Sequence, residues 1–147
     1  MKRILFCCAM NSIRSPMAAA LLQDKIGIAD NTEKDGIIIS SGGIEEGILD
    51  GFVIAVMGEK GIDLLNHEPK SIGYLAMQPW DLIVTFTESA YKAVQGTASR
   101  TGAKVEMWDV EDPSVHEGNR EQKLEYYRRV RDDIDNRIEQ HFNHLWT

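Results

Sequence analysis

Apolar residues arrive along this chain in two rhythms. Three short continuous runs, Ile4-Leu5-Phe6-Cys7-Cys8, Ile37-Ile38-Ile39 and Leu82-Ile83-Val84-Thr85-Phe86, are bounded by glycine, charged or turn residues. Runs of this length and β-branched content read as strands buried on both faces. A fourth, shorter strand is predicted from Lys104 to Trp108. The stretches between follow the helical period. Ser15 to about Ile26 reads as a helix, with Ser15 as N-cap, Pro16 at the first helical position and Gly27 as the stop. Further helices are predicted from Gly51 to about Lys60, ending at Gly61, from Glu88 to Gln95, and from Arg120 to Leu145. The last carries a stripe of Leu124, Tyr127, Val130, Ile134, Ile138, His141 and Leu145, which predicts a face packed on a sheet with the intervening charges solvated. Alternation of strand and helix predicts an α/β fold: a three-layer sandwich whose four-stranded parallel sheet has helices on both faces. Its site would lie at the carboxyl ends of the strands.

The first strand ends in the chemistry. Cys8 opens the run Cys8-Ala9-Met10-Asn11-Ser12-Ile13-Arg14-Ser15-Pro16, a Cys-x5-Arg loop between a strand and a helix. A loop at a helix start turns backbone N–H groups inward, and the helix dipole favours an anion there. The same field favours a thiolate over a thiol at Cys8. Arg14 adds a planar fork able to hold two oxygens of one phosphate. The amides of Ala9, Met10, Asn11, Ser12, Ile13 and Arg14 are therefore the candidate phosphate cradle. The competing reading of Cys8 is a buried structural thiol with Arg14 in a surface ion pair. Cys7 alternates away from Cys8 along the strand and reads as a small core residue.

A second feature lies after the fourth strand, in Trp108-Asp109-Val110-Glu111-Asp112-Pro113. A carboxyl group on that loop reaches the same sheet end as Cys8 and could donate a proton to a departing oxygen. Pro113 restricts Asp112 and stiffens the loop. Asp109 and Glu111 compete for this role.

Composition narrows the partners. With 147 residues, 43% hydrophobic and 27% charged, the chain is expected to form one domain, 1–147. The net charge of −7 argues against nucleic acid as a partner, and makes any attraction for phosphate local. Two adjacent cysteines give no disulfide framework and fit a reducing compartment. The apolar start is too short for a signal peptide and is interrupted by Asn11 and Arg14. No run reaches membrane-spanning length, so a cytoplasmic protein without membrane contact is expected. His116, His141 and His144 lack metal-ligand spacing, so neither a metal nor another cofactor is predicted.

Taken together, these motifs resemble the low-molecular-weight protein tyrosine phosphatase family, which includes related arsenate reductases. The resemblance extends over essentially the whole chain. It rests on Cys8 to Pro16 with Asn11 inside the loop, on Met17-Ala18, Ser40-Ser41-Gly42 and Gly61-Ile62-Asp63 through His67, and on Glu111-Asp112-Pro113. It implies the flavodoxin-like architecture of phosphotyrosine phosphatase I. It also implies Cys8 as nucleophile forming a cysteinyl-phosphate, Arg14 as phosphoryl holder and Asp112 as general acid and base. Ser15 would stabilise the thiolate, Asn11 would fix the loop, and Ser41 and His67 would support them by hydrogen bonds. The implied substrate is a phosphorylated protein or a small phosphomonoester. Arsenate, reduced with a single protein thiol and an external small thiol, is the alternative, and a phosphate-binding regulatory protein without turnover is a third.

Departures from the family pattern narrow this further. Ile13 stands where many tyrosine-directed members have a second cysteine. No downstream cysteine exists for an intramolecular reductase relay. Ser114-Val115 replaces the aromatic residues that often follow Asp-Pro, and Ser12 replaces an isoleucine common in tyrosine-directed relatives. Arsenate reductases and phosphoarginine phosphatases of this fold have Ser or Thr at that place. Met10 and Trp108 could supply apolar walls or could equally be packing residues. The phosphate site is better supported than tyrosine specificity.

Overall fold

The computed structural model describes residues 2–75 and 77–147. Four strands, β1 Lys2–Cys8, β2 Ile37–Gly43, β3 Leu82–Thr85 and β4 Lys104–Met107, form one parallel sheet in the order β2-β1-β3-β4. The helices are α1 Arg14–Ile26, α2 Gly51–Gly58, α3 Ile72–Leu75, α4 Glu88–Thr101 and α5 Arg120–Phe142. The fold is the α/β sandwich that the alternation predicts. Because β1 lies between β2 and β3, its C-terminus emerges at the middle of the sheet edge.

The two faces of β1 divide the core. Ile4, Phe6 and Cys8 enter one apolar cluster with α1, α2 and α5, while Leu5 and Cys7 enter a second with Ala90 and Val94 of α4. Cys7 and Cys8 therefore point to opposite faces. Gly27 ends α1 in the left-handed conformation at φ 81°, its N–H bonded to the Gln23 carbonyl at 2.8 Å. Thr87 caps α4 through the Ala90 N–H, and Asn119 forms a reciprocal capping box with Gln122 on α5.

Three sequence expectations are corrected. α1 starts at Arg14 with Ile13 as N-cap and no side-chain cap bond, so Ser15 is not the cap and Pro16 is the third helical residue. The Ser15 hydroxyl is buried and bonds Cys8 instead. The buried stripe of α5 passes from Ile138 to Phe142, four residues on, and leaves His141 exposed. α5 also gives way to a 3-10 turn over Asn143–Leu145. Among the α5 charges, Arg131 is buried, donating to the Val56 carbonyl at 2.9 Å and pairing with Glu59 at 2.8 Å. No described helix is long and apolar enough to cross a membrane.

Candidate active site

Backbone pairing shapes the loop after Cys8. The carbonyls of Cys8, Ala9, Met10 and Ser12 accept from the N–H groups of Ile44, Glu45, Gly47 and Asp50, at 2.9–3.1 Å. In a trans peptide the carbonyl and the following N–H point opposite ways. The amides of Ala9, Met10, Asn11 and Ile13 therefore turn to the other side, and none has a protein acceptor among the described residues. With no side chain capping α1, its first-turn amides add to this set. The result is a concave array of donors at the end of the central strand, suited to a tetrahedral anion.

Two glycines permit that wrapping. A Cβ on Gly43 would sit 2.6 Å from the Asn11 nitrogen, and one on Gly47 would sit 2.8 Å from the Met10 carbonyl. Asn11 itself adopts φ 52°, a left-handed conformation that asparagine tolerates better than most residues.

The Asn11 side chain is fully buried and directs a chain of hydrogen bonds. Its Oδ1 accepts from the Lys70 N–H at 3.0 Å, which leaves Nδ2 to donate to the hydroxyls of Ser15 at 2.9 Å and Ser41 at 3.0 Å. Ser15 Oγ thus acts as an acceptor toward Asn11, and its own proton is free. Cys8 Sγ lies 2.8 Å away, and the alternative acceptor, the Gly42 carbonyl, lies at 3.4 Å. With Asn11 donating to it, the Ser15 hydroxyl can turn its proton toward the nearer Cys8 sulfur or the more distant Gly42 carbonyl. Cys7, by contrast, is enclosed in the opposite core, where burial and then the neighbouring Cys8 push its thiol up to about 12.

Arg14 reaches across the site. Its Nη1 donates to the carbonyls of Val110 at 2.9 Å and Phe86 at 3.2 Å. Its Nε and Nη2 have no protein acceptor among the described residues, so that two-donor edge is available to an anion. Asp112 lies two residues beyond Val110. Its Oδ1 accepts from the Ser114 N–H at 2.9 Å and the Ser114 hydroxyl at 2.6 Å, capping a 3-10 turn over Pro113–Val115. Oδ2 has no such partner. Glu111 is instead engaged with His116 at 3.3 Å.

Beside the loop opens a cavity of about 550 Å³, lined by Ser12, Asp50, Phe52, Pro113, Ser114 and Tyr127 among others. Asp50 caps α2 through the Phe52 N–H at 2.8 Å, and its other oxygen accepts the Tyr127 hydroxyl proton at 2.7 Å. Burial, followed by that bond to Asp50, raises the Tyr127 phenol above its usual range. Neither residue was singled out as functional from the sequence. Asp50 before Gly51 is a readable cap signal, but its contact with α5 is not.

Of the remaining candidates, Ser41 joins the Asn11 network and His67 does not. His67 Nε2 is buried without a hydrogen-bond partner among the described residues, beside a separate cavity of about 630 Å³ that Ser41 and Lys70 also line. Burial lowers the His67 pKa. Met10 is 40% exposed at the edge of the loop. Trp108 is a core residue, packed edge-on against Phe6 and Phe86, and forms no wall of the described cavity.

The Cys8 thiol at the end of the central strand, the loop amides without acceptors among the described residues, and Arg14 bonded to the loop that carries Asp112 make up the candidate site. Residues 3–146 match the low molecular weight phosphotyrosine protein phosphatase family, and the chain belongs to it. An arsenate reductase of Bacillus subtilis is 32% identical over 139 residues, covering 95% of this chain and 94% of that one. Among solved structures, the YwlE arginine phosphatase of Geobacillus stearothermophilus superposes with a TM-score of 0.77 at 24% identity, over 99% of this chain and 93% of that one. An arsenate reductase in the phosphate binding state gives 0.74 at 24% identity, over 99% of both chains.

Proposed function

We propose that the protein hydrolyses phosphomonoesters through a phosphocysteine. The observation that carries this reading is the set of amides at Ala9, Met10, Asn11 and Ile13, without acceptors among the described residues, in the loop that runs from Cys8 to Arg14. The Cys8 thiolate attacks phosphorus, so that an S–P bond forms as the ester P–O bond breaks. Asp112 gives its proton to the departing oxygen. A water then attacks the phosphocysteine and loses a proton to Asp112, and the S–P bond breaks to release phosphate and the thiolate. Arg14 and the loop amides hold the phosphoryl oxygens through both steps. Ser15, held as a donor by Asn11, stabilises the thiolate as nucleophile and again as leaving group.

A second reading, a single-thiol arsenate reductase, draws on the identity to a relative of that name. The same loop would bind arsenate, and Cys8 would carry the adduct. Cys7 cannot resolve that adduct, because it faces the opposite core, so an external thiol would be needed. Parallel assays with p-nitrophenyl phosphate and with arsenate plus a small thiol separate the two. Hydrolysis of the ester, lost in Cys8→Ser, supports the phosphatase. Thiol-dependent arsenate reduction with no ester hydrolysis overturns it.

A further inference from the structure

We propose that the cavity beside the phosphate loop selects phosphopeptides carrying an acidic residue next to the phosphorylated one, read by Arg120 and Lys123. The inference rests on the phosphatase reading and names its substrate class.

Both cations line the same 550 Å³ cavity as Ser12 of the loop and Pro113-Ser114 of the acid loop. Lys123 is half-buried, yet its ammonium has no ion-pair or hydrogen-bond partner among the described residues. Arg120 is exposed, and its guanidinium lies 5.6 Å over the Phe52 ring rather than on a carboxylate. Three acids of the surrounding elements are committed elsewhere, while Asp112, just before the lining Pro113, keeps one oxygen without a partner among the described residues. Glu121 and Glu125 bond Arg128, and Glu111 bonds His116. Asp50 is the one carboxylate among the described residues lining the cavity, and its two oxygens already accept from Phe52 and Tyr127. The lining therefore sets two cations without ion-pair partners among the described residues against the single carboxylate of Asp50, a local excess of positive charge in a chain of net charge −7.

Their position strengthens the point. Both lie in the first turn or so of α5, where the helix dipole disfavours cations, and where Asn119 and Gln122 already complete the cap. They do not serve the helix. They line the space that borders both Ser12 of the phosphate loop and the Pro113-Ser114 turn after Asp112. Potential complementarity of this kind fixes register and accelerates encounter with an acidic partner. The cavity is larger than a single phenol ring requires, and Ile48 on its rim is 88% exposed, which gives a peptide backbone an apolar edge to lie on.

The test uses the full chain and two phosphotyrosyl hexapeptides that differ in one flanking pair, Asp-Glu against Ala-Ala, with p-nitrophenyl phosphate alongside. The kcat/KM of the acidic peptide is expected to exceed that of the neutral one by roughly three- to tenfold at low salt, as two partly exposed charge pairs allow. The ratio should fall toward one in 0.5 M salt. It should also fall to about one in the double variant Arg120→Gln, Lys123→Gln, and persist in Arg120→Lys, Lys123→Arg. The ratio is internal to each variant, so a general loss of activity does not disturb it. Hydrolysis of the nitrophenyl ester without any preference between the peptides, or a preference that survives the double glutamine variant, overturns the proposal and leaves the phosphatase reading intact. A charge preference confined to small esters bearing a second anion, absent from peptides, also overturns it. Absence of nitrophenyl ester hydrolysis defeats the phosphatase reading and this one with it.

Discussion

Replacing Asn11 by alanine tests the internal wiring of the site. The side chain makes three buried hydrogen bonds, to the Lys70 N–H and to the Ser15 and Ser41 hydroxyls. At about 0.5–1.5 kcal/mol each, their loss amounts to about 3 kcal/mol. Alanine at φ 52° adds about 1–2 kcal/mol of backbone strain, so Asn11→Ala is expected to destabilise the fold by about 4 kcal/mol. That is a large share of the roughly 5–15 kcal/mol that holds a domain together. Asn11→Gly relieves the strain but adds about 0.5–1 kcal/mol of unfolded-state freedom, so the two variants should lie within about 1 kcal/mol of each other. Equilibrium urea unfolding measures both. A loss below about 1.5 kcal/mol for alanine, or wild-type stability for glycine, refutes the bond count. Asn11→Asp probes direction rather than number. A carboxylate only accepts, so the Ser15 proton turns toward it and away from Cys8. Loss of one hydrogen bond to a charged sulfur corresponds to roughly a 10- to 100-fold fall in turnover. The alkylation rate of Cys8 should change in the folded variant as well. Unchanged kinetics on both counts would show that Ser15 never donated to the sulfur.

Other outcomes follow from single contacts. At pH 8 iodoacetamide should modify one thiol in the native protein and two in denaturant, because Cys7 is enclosed and its pKa is about 12; two native equivalents contradict this. Ser114→Ala leaves Asp112 Oδ1 with one donor, and should slow esters of poor leaving groups by roughly 3- to 10-fold while sparing nitrophenyl phosphate; an equal effect on both denies the acid role. Arg14→Lys retains the charge and loses the two-donor edge, and should reduce kcat by orders of magnitude; near-normal catalysis would mean that geometry there matters little. Folded His67 holds its proton less tightly than the unfolded chain, whose value is near 6.5. The unfolded state therefore binds more protons below that value, and stability should drop as pH falls through it. Thermal melts of His67→Gln should lack this limb, and an identical pH dependence in variant and wild type rejects it.

The loop was legible in the sequence because strand, cysteine, arginine and helix follow one another without interruption. The helix start was misread for a physical reason: the local rule assigns a serine before proline to capping, whereas tertiary structure spends the Ser15 hydroxyl on Cys8 and leaves the helix end open for an anion. His141 entered the predicted stripe because 138 to 141 is an acceptable helical step, but the larger apolar Phe142 wins the buried side. The grip on Arg14 had no signature, since its partners are the backbone carbonyls of Phe86 and Val110, and any residue supplies those. The same holds for Lys70, which reaches Asn11 through its N–H. Close approaches at Gly43 and Gly47 likewise emerge only once the chain is folded.

The clasp between Arg14 and Val110 gears two parts of the site together. Val110 stands two residues before Asp112, so a displacement of that backbone pulls the arginine and carries the carboxyl in the same stroke. In the proposed mechanism, grip on the phosphoryl group and delivery of the proton would then not be independently adjustable. For anyone grafting a new leaving-group specificity, the coupled unit runs from Val110 through Ser114, whose N–H and hydroxyl hold Asp112. Inserting or deleting a residue between Val110 and Asp112 would throw both halves out of mesh at once.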